Sequence, residues 1–364
     1  MHKTAATPLS LIYALLVLYA SLYPFADWRD QGMGLWTFLS APLPKYWTAF
    51  DVWINVIGYM PFGALLCLSA LRTGNGRYAV WAALVCASVL SLCMETLQGF
   101  LPSRVSSRED WLLNTGGAWI GAVAALTLEK WGAIDHWSRF RSRWFHAQSR
   151  GALVLLATWP VALLFPPPIP FGPGQVFERL EAEVALQLSD TPFLDWMPVR
   201  DVELQPLAQG TELLCVVLGL LIPCLLGFSV IRSLPRRLVF APLLIIAGVA
   251  TTVLSAGLSW GPGHAWAWLD LPTQVALAAA CVIAFGLALV PSRVSGALIL
   301  LALGVYLSLL NQAPASPYFA QTLQSWEQGK FIRFNGLAQW VGWMWPYATL
   351  AYVLSTLWRR APQN

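Results

Sequence analysis

Runs of about 18 to 22 apolar residues recur along this chain, and they limit its fold more than any other feature. A helix of that length, rising 1.5 Å per residue, crosses a hydrocarbon layer about 30 Å thick. Lipid gives an unpaired N–H or C=O no partner, so runs of this kind are expected as helices. Of the 364 residues, 57% are hydrophobic and 11% charged, against about 25% charged in an ordinary soluble domain. The expectation is an all-α fold, a polytopic transmembrane helical bundle of about ten helices. Their starts fall near residues 9, 51, 79, 110, 151, 211, 237, 271, 294 and 338. The first run follows Lys3, exceeds a signal-peptide core in length and lacks a small-residue cleavage pattern, so it is expected as a retained helix.

Charge sets the expected orientation. With the N-terminus inside, most of the 22 Lys and Arg fall in inner connections, around Arg72, between Lys130 and Arg150, around Arg236, and at Arg359 and Arg360. This predicts both termini in the cytoplasm, in a bacterial inner (plasma) membrane. The basic, aromatic stretch 136–150 admits two readings, a surface helix on anionic headgroups or a retention signal for topology. The outer segment 166–210 is Pro-rich and then acidic, and its residues 176–188 fit a short amphipathic surface helix. The six cysteines sit in apolar runs without CxxC spacing and the four histidines are scattered. No disulfide, metal site or cofactor is expected, the cysteines are read as small core residues, and no nucleic-acid partner is expected.

A shift of about 160 residues sets Pro61 on Pro223, Arg72 on Arg232, Asp110 on Asp270 and Asn114 on Gln274. Two four-helix units would follow, in 1–135 and 136–293, parallel about an axis along the membrane normal, with two additional helices in 294–364. Chance alignment of Leu-rich helices is the alternative. In such a repeat the second copy has lost its charges, with Ser255 at the position of Glu95, so the chemistry falls to the first copy.

Three polar pairs then reach one level near the outer face: Asp51 with Asn55, Glu95 with Gln98, and Asp110 with Asn114. Their i,i+4 or i,i+3 spacing puts each pair on one side of its helix. Arg104 and Arg108 lie in the turn above. Thr48 to Asp51 and Ser107 to Asp110 have capping-box spacing, so both aspartates fit a cap as well as a site. Asn55 and Asn114, one turn deeper, fit interhelical hydrogen bonding better. Gly117 and Gly121 form a GxxxG packing face, and Pro61 is expected to kink its helix.

Glu95 stands near the C-terminal end of its own helix, where the dipole disfavours an anion. Facing lipid it would cost about 2 to 3 kcal/mol. It is therefore expected to face inward and to pair with Arg104 or Arg108, or to be protonated. Arginines at headgroup level suit phosphate, and neighbouring carboxylates suit a sugar, amine or water. The expected ligand site is Asp51, Asn55, Glu95, Gln98, Arg104, Arg108, Asp110 and Asn114, with Glu95 and Asp110 as candidate catalytic acid and base.

The ordered set of Asp51, Asn55, Pro61, Gly63, Glu95, Gln98, Arg104, Asp110, Asn114, Gly117 and Gly121 resembles the VanZ-like membrane family, over about residues 50 to 125. The resemblance implies a link to the cell envelope and to the response to the glycopeptide teicoplanin. Arg108 lies outside the family's pattern, and a histidine can occur there where this chain has Asn55. Three readings follow: a protein that binds or moves a membrane lipid or lipid-linked precursor at the outer leaflet, a membrane enzyme acting on a lipid headgroup, or a scaffold locked by its polar cluster.

Overall fold

The ten expected runs each overlap a helix, though not all of these helices are long enough to span a membrane. The computed structural model describes residues 6–23, 25, 27–32, 34–41, 49–74, 76–146, 149–189, 191–193, 207–313 and 332–360. Their helices are α1 (Ala6–Leu22), α2 (Thr37–Ser40), α3 (Ala49–Arg72), α4 (Ala79–Gln98), α5 (Arg108–Lys130), α6 (Ala133–Trp144), α7 (Arg150–Leu164), α8 (Phe177–Leu188), α9 (Gln209–Val230), α10 (Leu234–Trp260), α11 (Leu271–Leu287), α12 (Ser292–Leu310) and α13 (Ile332–Arg360). Among the described residues an isolated bridge between Phe145 and Ile231 is the β pairing seen.

Six of these helices are long and apolar enough to cross a membrane: Val52–Arg72, Gly76–Gln98, Arg108–Lys130, Gln209–Val230, Leu234–Trp260 and Ser292–Leu310. Helices α1, α7 and α11 are apolar but have only 17, 15 and 17 residues. At 1.5 Å per residue they reach about 22 to 26 Å, short of a 30 Å core. The amphipathic segments foreseen at 136–150 and 176–188 are represented by α6 and α8.

The chain divides into two compact units, residues 1–139 and 140–364. In the first, α3 packs on α5, α4 packs on both, and α1 lies against α3 and α4. Its helices turn small and polar residues inward. The buried stripe of α4 is Ala79, Ala83, Ala87, Ser91, Met94, Glu95 and Gln98, while Trp81, Val85 and Val89 are exposed. Such an inside-out pattern suits a hydrocarbon surround, where large apolar side chains gain nothing by burial and polar ones must find partners. It also corrects the reading of the cysteines: Cys67 is buried, but Cys86 and Cys93 lie on the exposed face of α4, where a small apolar side chain is equally at home.

Glycine sets the closest approach in this unit. A methyl group built on Gly117 would strike the Val56 carbonyl oxygen, one on Gly121 that of Met60, and one on Gly63 that of Ala118. The two backbones of α3 and α5 therefore touch, as the GxxxG spacing predicts. Pro61 lies within α3 and removes the N–H that would serve Ile57. One residue on, the Tyr13 hydroxyl of α1 donates to the Gly58 carbonyl at 2.7 Å.

In the second unit α9 is central, largely buried along its length, with α7, α10, α11 and α12 against it. A helix apolar on every side belongs inside. Helix α13 packs on α7 and α12.

Gly116 has open space at its Cβ position, which provides a matched control for Gly117. Gly116→Ala should hold or raise the melting temperature, since alanine gains up to about 1 kcal/mol of helix propensity. Gly117→Ala should lower it, because a backbone oxygen cannot yield as a side chain can. Thermal unfolding of both variants in detergent tests this, and equal melting temperatures would contradict the backbone contact.

Candidate functional site

The turn between α4 and α5 gathers the polar residues. Ser107 is the N-cap of α5, and its hydroxyl oxygen accepts from the Asp110 N–H at 3.3 Å. In a capping box the third helical residue returns a bond to the N-cap N–H. Here that N–H donates instead to Glu95 Oε2, at 2.9 Å. Glu95 is 3% exposed and thus caps the helix that follows its own. A carboxylate disfavoured by the dipole of α4 sits at the N-terminus of α5, where the dipole favours it. Asp110, relieved of the return bond, accepts from Asn55 Nδ2 at 2.7 Å through Oδ1. The acid of one helix and the amide of another thus meet across the glycine contact.

The end of α1 is completed from the same turn. Within its last turn, Tyr19 O accepts from Tyr23 N, and Leu22 O from Phe25 N. The Ser21 carbonyl accepts from Gln98 Nε2 at 3.0 Å, and the Ala20 carbonyl from Arg104 Nη2 at 3.2 Å. Arg104 Nη2 also donates to Tyr23 O at 2.6 Å. Orphan carbonyls at a helix C-terminus are negative, so a buried guanidinium is well matched there. The described contacts of Glu95 and Arg104 therefore run to backbone groups of two different helices. In these contacts each charge serves a helix end, Glu95 an N-terminus and Arg104 a C-terminus.

Arg108 points elsewhere. Its side chain is 34% exposed, 4.0 Å from Glu109 Oε1, and its Nη1 donates to the Leu39 carbonyl at 3.3 Å. Asn114, one turn below Asp110, is buried and donates from Nδ2 to Ser91 Oγ at 3.0 Å. The structure thus joins Asn55 with Asp110, sets Glu95 on the same helix start, and leads Gln98 and Arg104 to α1. Asp51 falls on α3, but its side chain and Thr48 lie outside the described residues, as does the capping box proposed for them. The opposite end of the unit carries the Arg72–Glu129 ion pair, at 2.9 Å.

Sequence reasoning missed a second polar feature, in the unit of residues 140–364. The Pro-rich segment after α7, expected as an outer loop, is packed inward: Ile169 and Phe171 are buried, and Phe171 has φ 58°. Side chains of distant helices satisfy its backbone. Tyr306 donates to Pro173 O at 2.7 Å, Tyr347 donates to Gly174 O at 3.2 Å, and Asn311 Oδ1 accepts from Val176 N and Phe177 N at 3.0 and 3.2 Å. Beside it lies a cleft lined among others by Phe165, Pro167, Gln175, Glu178, Gln339 and Trp343, with no Lys or Arg among the described residues of its walls. The dense prolines were the available signal. Among the described residues no group of three or more His, Cys, Asp or Glu converges. The repeat counterparts also differ locally, since Asp270 is itself an N-cap, accepting from Thr273 N.

Apolar helices with small and polar residues turned inward, and with acid, amide and guanidinium groups gathered at one helix junction, define a multi-pass membrane protein. Residues 7–129 match the VanZ/LLP1 family model, and this part of the chain is similar to the VanZ-like family. Neither the curated proteins nor the solved structures compared with the chain give a match.

The contact of Glu95 predicts a graded response. Glu95→Gln keeps an acceptor for the Ser107 N–H and should stay close to the parent in stability. Glu95→Leu strands that donor and should lose about 1 to 3 kcal/mol. Denaturant or thermal unfolding of the purified variants measures it, and equal losses would mean the bond to Ser107 carries no weight.

Proposed function

We propose that the VanZ-like unit binds the polar headgroup of an amphiphile, a membrane lipid or lipid-linked precursor bearing phosphate or sugar, at the junction of α4 and α5. The observation that carries this is the position of Arg108. Its guanidinium is partly exposed on the first residue of α5, two positions before Asp110, while Arg104 is buried against carbonyls. A guanidinium offers phosphate paired N–H donors. The helix start adds a favourable field for an anion. In this reading Arg108 meets the ligand, the Asn55–Asp110 pair forms the adjoining polar wall, and Glu95, Gln98 and Arg104 hold the helix ends that shape it. The site faces the outer leaflet of a bacterial inner membrane, both termini are cytoplasmic, and the binding or movement of such a lipid affects the envelope or the glycopeptide response.

A second reading, a scaffold with a purely structural cluster, is favoured by one observation: the described bonds of Glu95, Gln98 and Arg104 end on backbone groups. The two arginines separate the readings. Arg108→Ala should weaken binding of anionic phospholipid or of a lipid-linked pyrophosphate about tenfold or more, the loss of one charge-assisted contact, without moving the melting temperature. Arg104→Ala should lower the melting temperature. Lipid binding by native mass spectrometry, run beside thermal unfolding, gives both numbers. Unchanged binding in Arg108→Ala would leave the scaffold.

A further inference from the structure

Below the junction lies a second polar layer that the proposed headgroup site does not use. Each of three helices repeats a polar residue one turn deeper: Tyr59 after Asn55 on α3, Ser91 before Glu95 on α4, and Asn114 after Asp110 on α5. All three are buried, with exposures of 6%, 0% and 5%. Asn114 Nδ2 donates to Ser91 Oγ, and the Tyr59 hydroxyl lies near the same Ser91 without closing a hydrogen bond of normal geometry. Yet the Tyr59 hydroxyl and Asn114 Oδ1 have no hydrogen-bond partner among the described residues. Turning the Asn114 amide over exchanges its oxygen and nitrogen and moves the shortfall from one atom to the other without removing it. A buried donor and a buried acceptor thus gather about one serine.

We propose that Tyr59, Ser91 and Asn114 form an internal hydration site that holds one ordered water. The chemistry selects the occupant. This layer supplies a phenol donor, an amide acceptor and a hydroxyl, with no charged group of its own, so it matches a small neutral molecule that both donates and accepts. A water accepting from the Tyr59 hydroxyl and donating to Asn114 Oδ1 and Ser91 Oγ has three partners, the usual number for a buried water. It extends the polar column one turn inward from Glu95. It does not depend on headgroup binding, so failure of that reading leaves it standing.

The sign of a single substitution tests it. Removing an unpartnered buried hydroxyl is neutral or stabilising, whereas removing one that holds a water strands the water's remaining partners. Tyr59→Phe, which keeps the ring, should therefore lower the melting temperature of the full-length protein in lipid-free detergent. Asn114→Leu also breaks the bond to Ser91, so the double variant supplies the second reading: with the water already lost, Tyr59→Phe should lower the melting temperature less in the Asn114→Leu background than alone. A high-resolution density map should show an isolated peak about 3 Å from the Tyr59 oxygen. An unchanged or raised melting temperature in Tyr59→Phe, or additive losses in the double variant, would overturn the proposal. A loss that appears only after phospholipid is added would overturn water as the occupant and assign the place to a lipid hydroxyl.

Discussion

The first unit depends on the contact between the backbones of α3 and α5. In hydrocarbon, two helices gain little from burying leucine on leucine, so association rests on close packing and on polar bonds between helices. Gly63, Gly117 and Gly121 remove the side chains that would hold the axes apart, and three carbonyl oxygens occupy the space. Close approach has a chemical consequence. Val56 and Met60, whose carbonyls the glycines meet, adjoin Asn55 and Tyr59, and this register brings Asn55 to Asp110 at 2.7 Å. Bulkier residues would separate the helices and break that bond even with both partners unchanged.

The cluster of charge between α4 and α5 follows from the needs of helix ends near lipid. A turn joining two spanning helices exposes orphan carbonyls from one and orphan N–H groups from the other, and water alone would serve them if the turn were exposed. Here Leu101 is fully buried and Glu95 nearly so. Side chains must then do what water does elsewhere. Glu95 takes the Ser107 N–H, Ser106 donates its hydroxyl to the Glu95 carbonyl at 2.7 Å, and Gln31 reaches Gly99 O at 2.8 Å. Gln98 and Arg104 complete α1. The charges that composition singles out as anomalous therefore include several whose partners are peptide groups.

Much of this was legible in the chain because it is local. Apolar run length located the helices, GxxxG spacing identified the contact face, and the Ser107–Asp110 spacing marked a helix start. The missing half of that capping box was not legible. No spacing rule states that Glu95, twelve positions before Ser107, will take the N–H that Asp110 would normally receive, because the contact exists only once α4 and α5 are antiparallel. The same limit applies to Arg104, whose bonds to Ala20 O and Tyr23 O close the end of α1, more than eighty positions earlier in the chain. The lengths of α1, α7 and α11 show a further limit, since an apolar run signals a helix without fixing whether it spans the hydrocarbon layer.

The second unit solves a related problem with neutral groups. Its Pro-rich segment cannot form a helix, and irregular backbone deep in such a protein persists only where other parts of the protein satisfy it. Tyr306, Asn311 and Tyr347 supply those bonds, and Gln175 Nε2 donates back to Ala313 O at 2.6 Å. Phenols and amides suffice because a loop interior has no net dipole to oppose, whereas the ends of α1 and α5 present aligned carbonyls or N–H groups that favour a full charge. Charge concentrates in the first unit where helix ends meet, and there the partly exposed Arg108 donates to the Leu39 carbonyl while the buried Arg104 closes the end of α1.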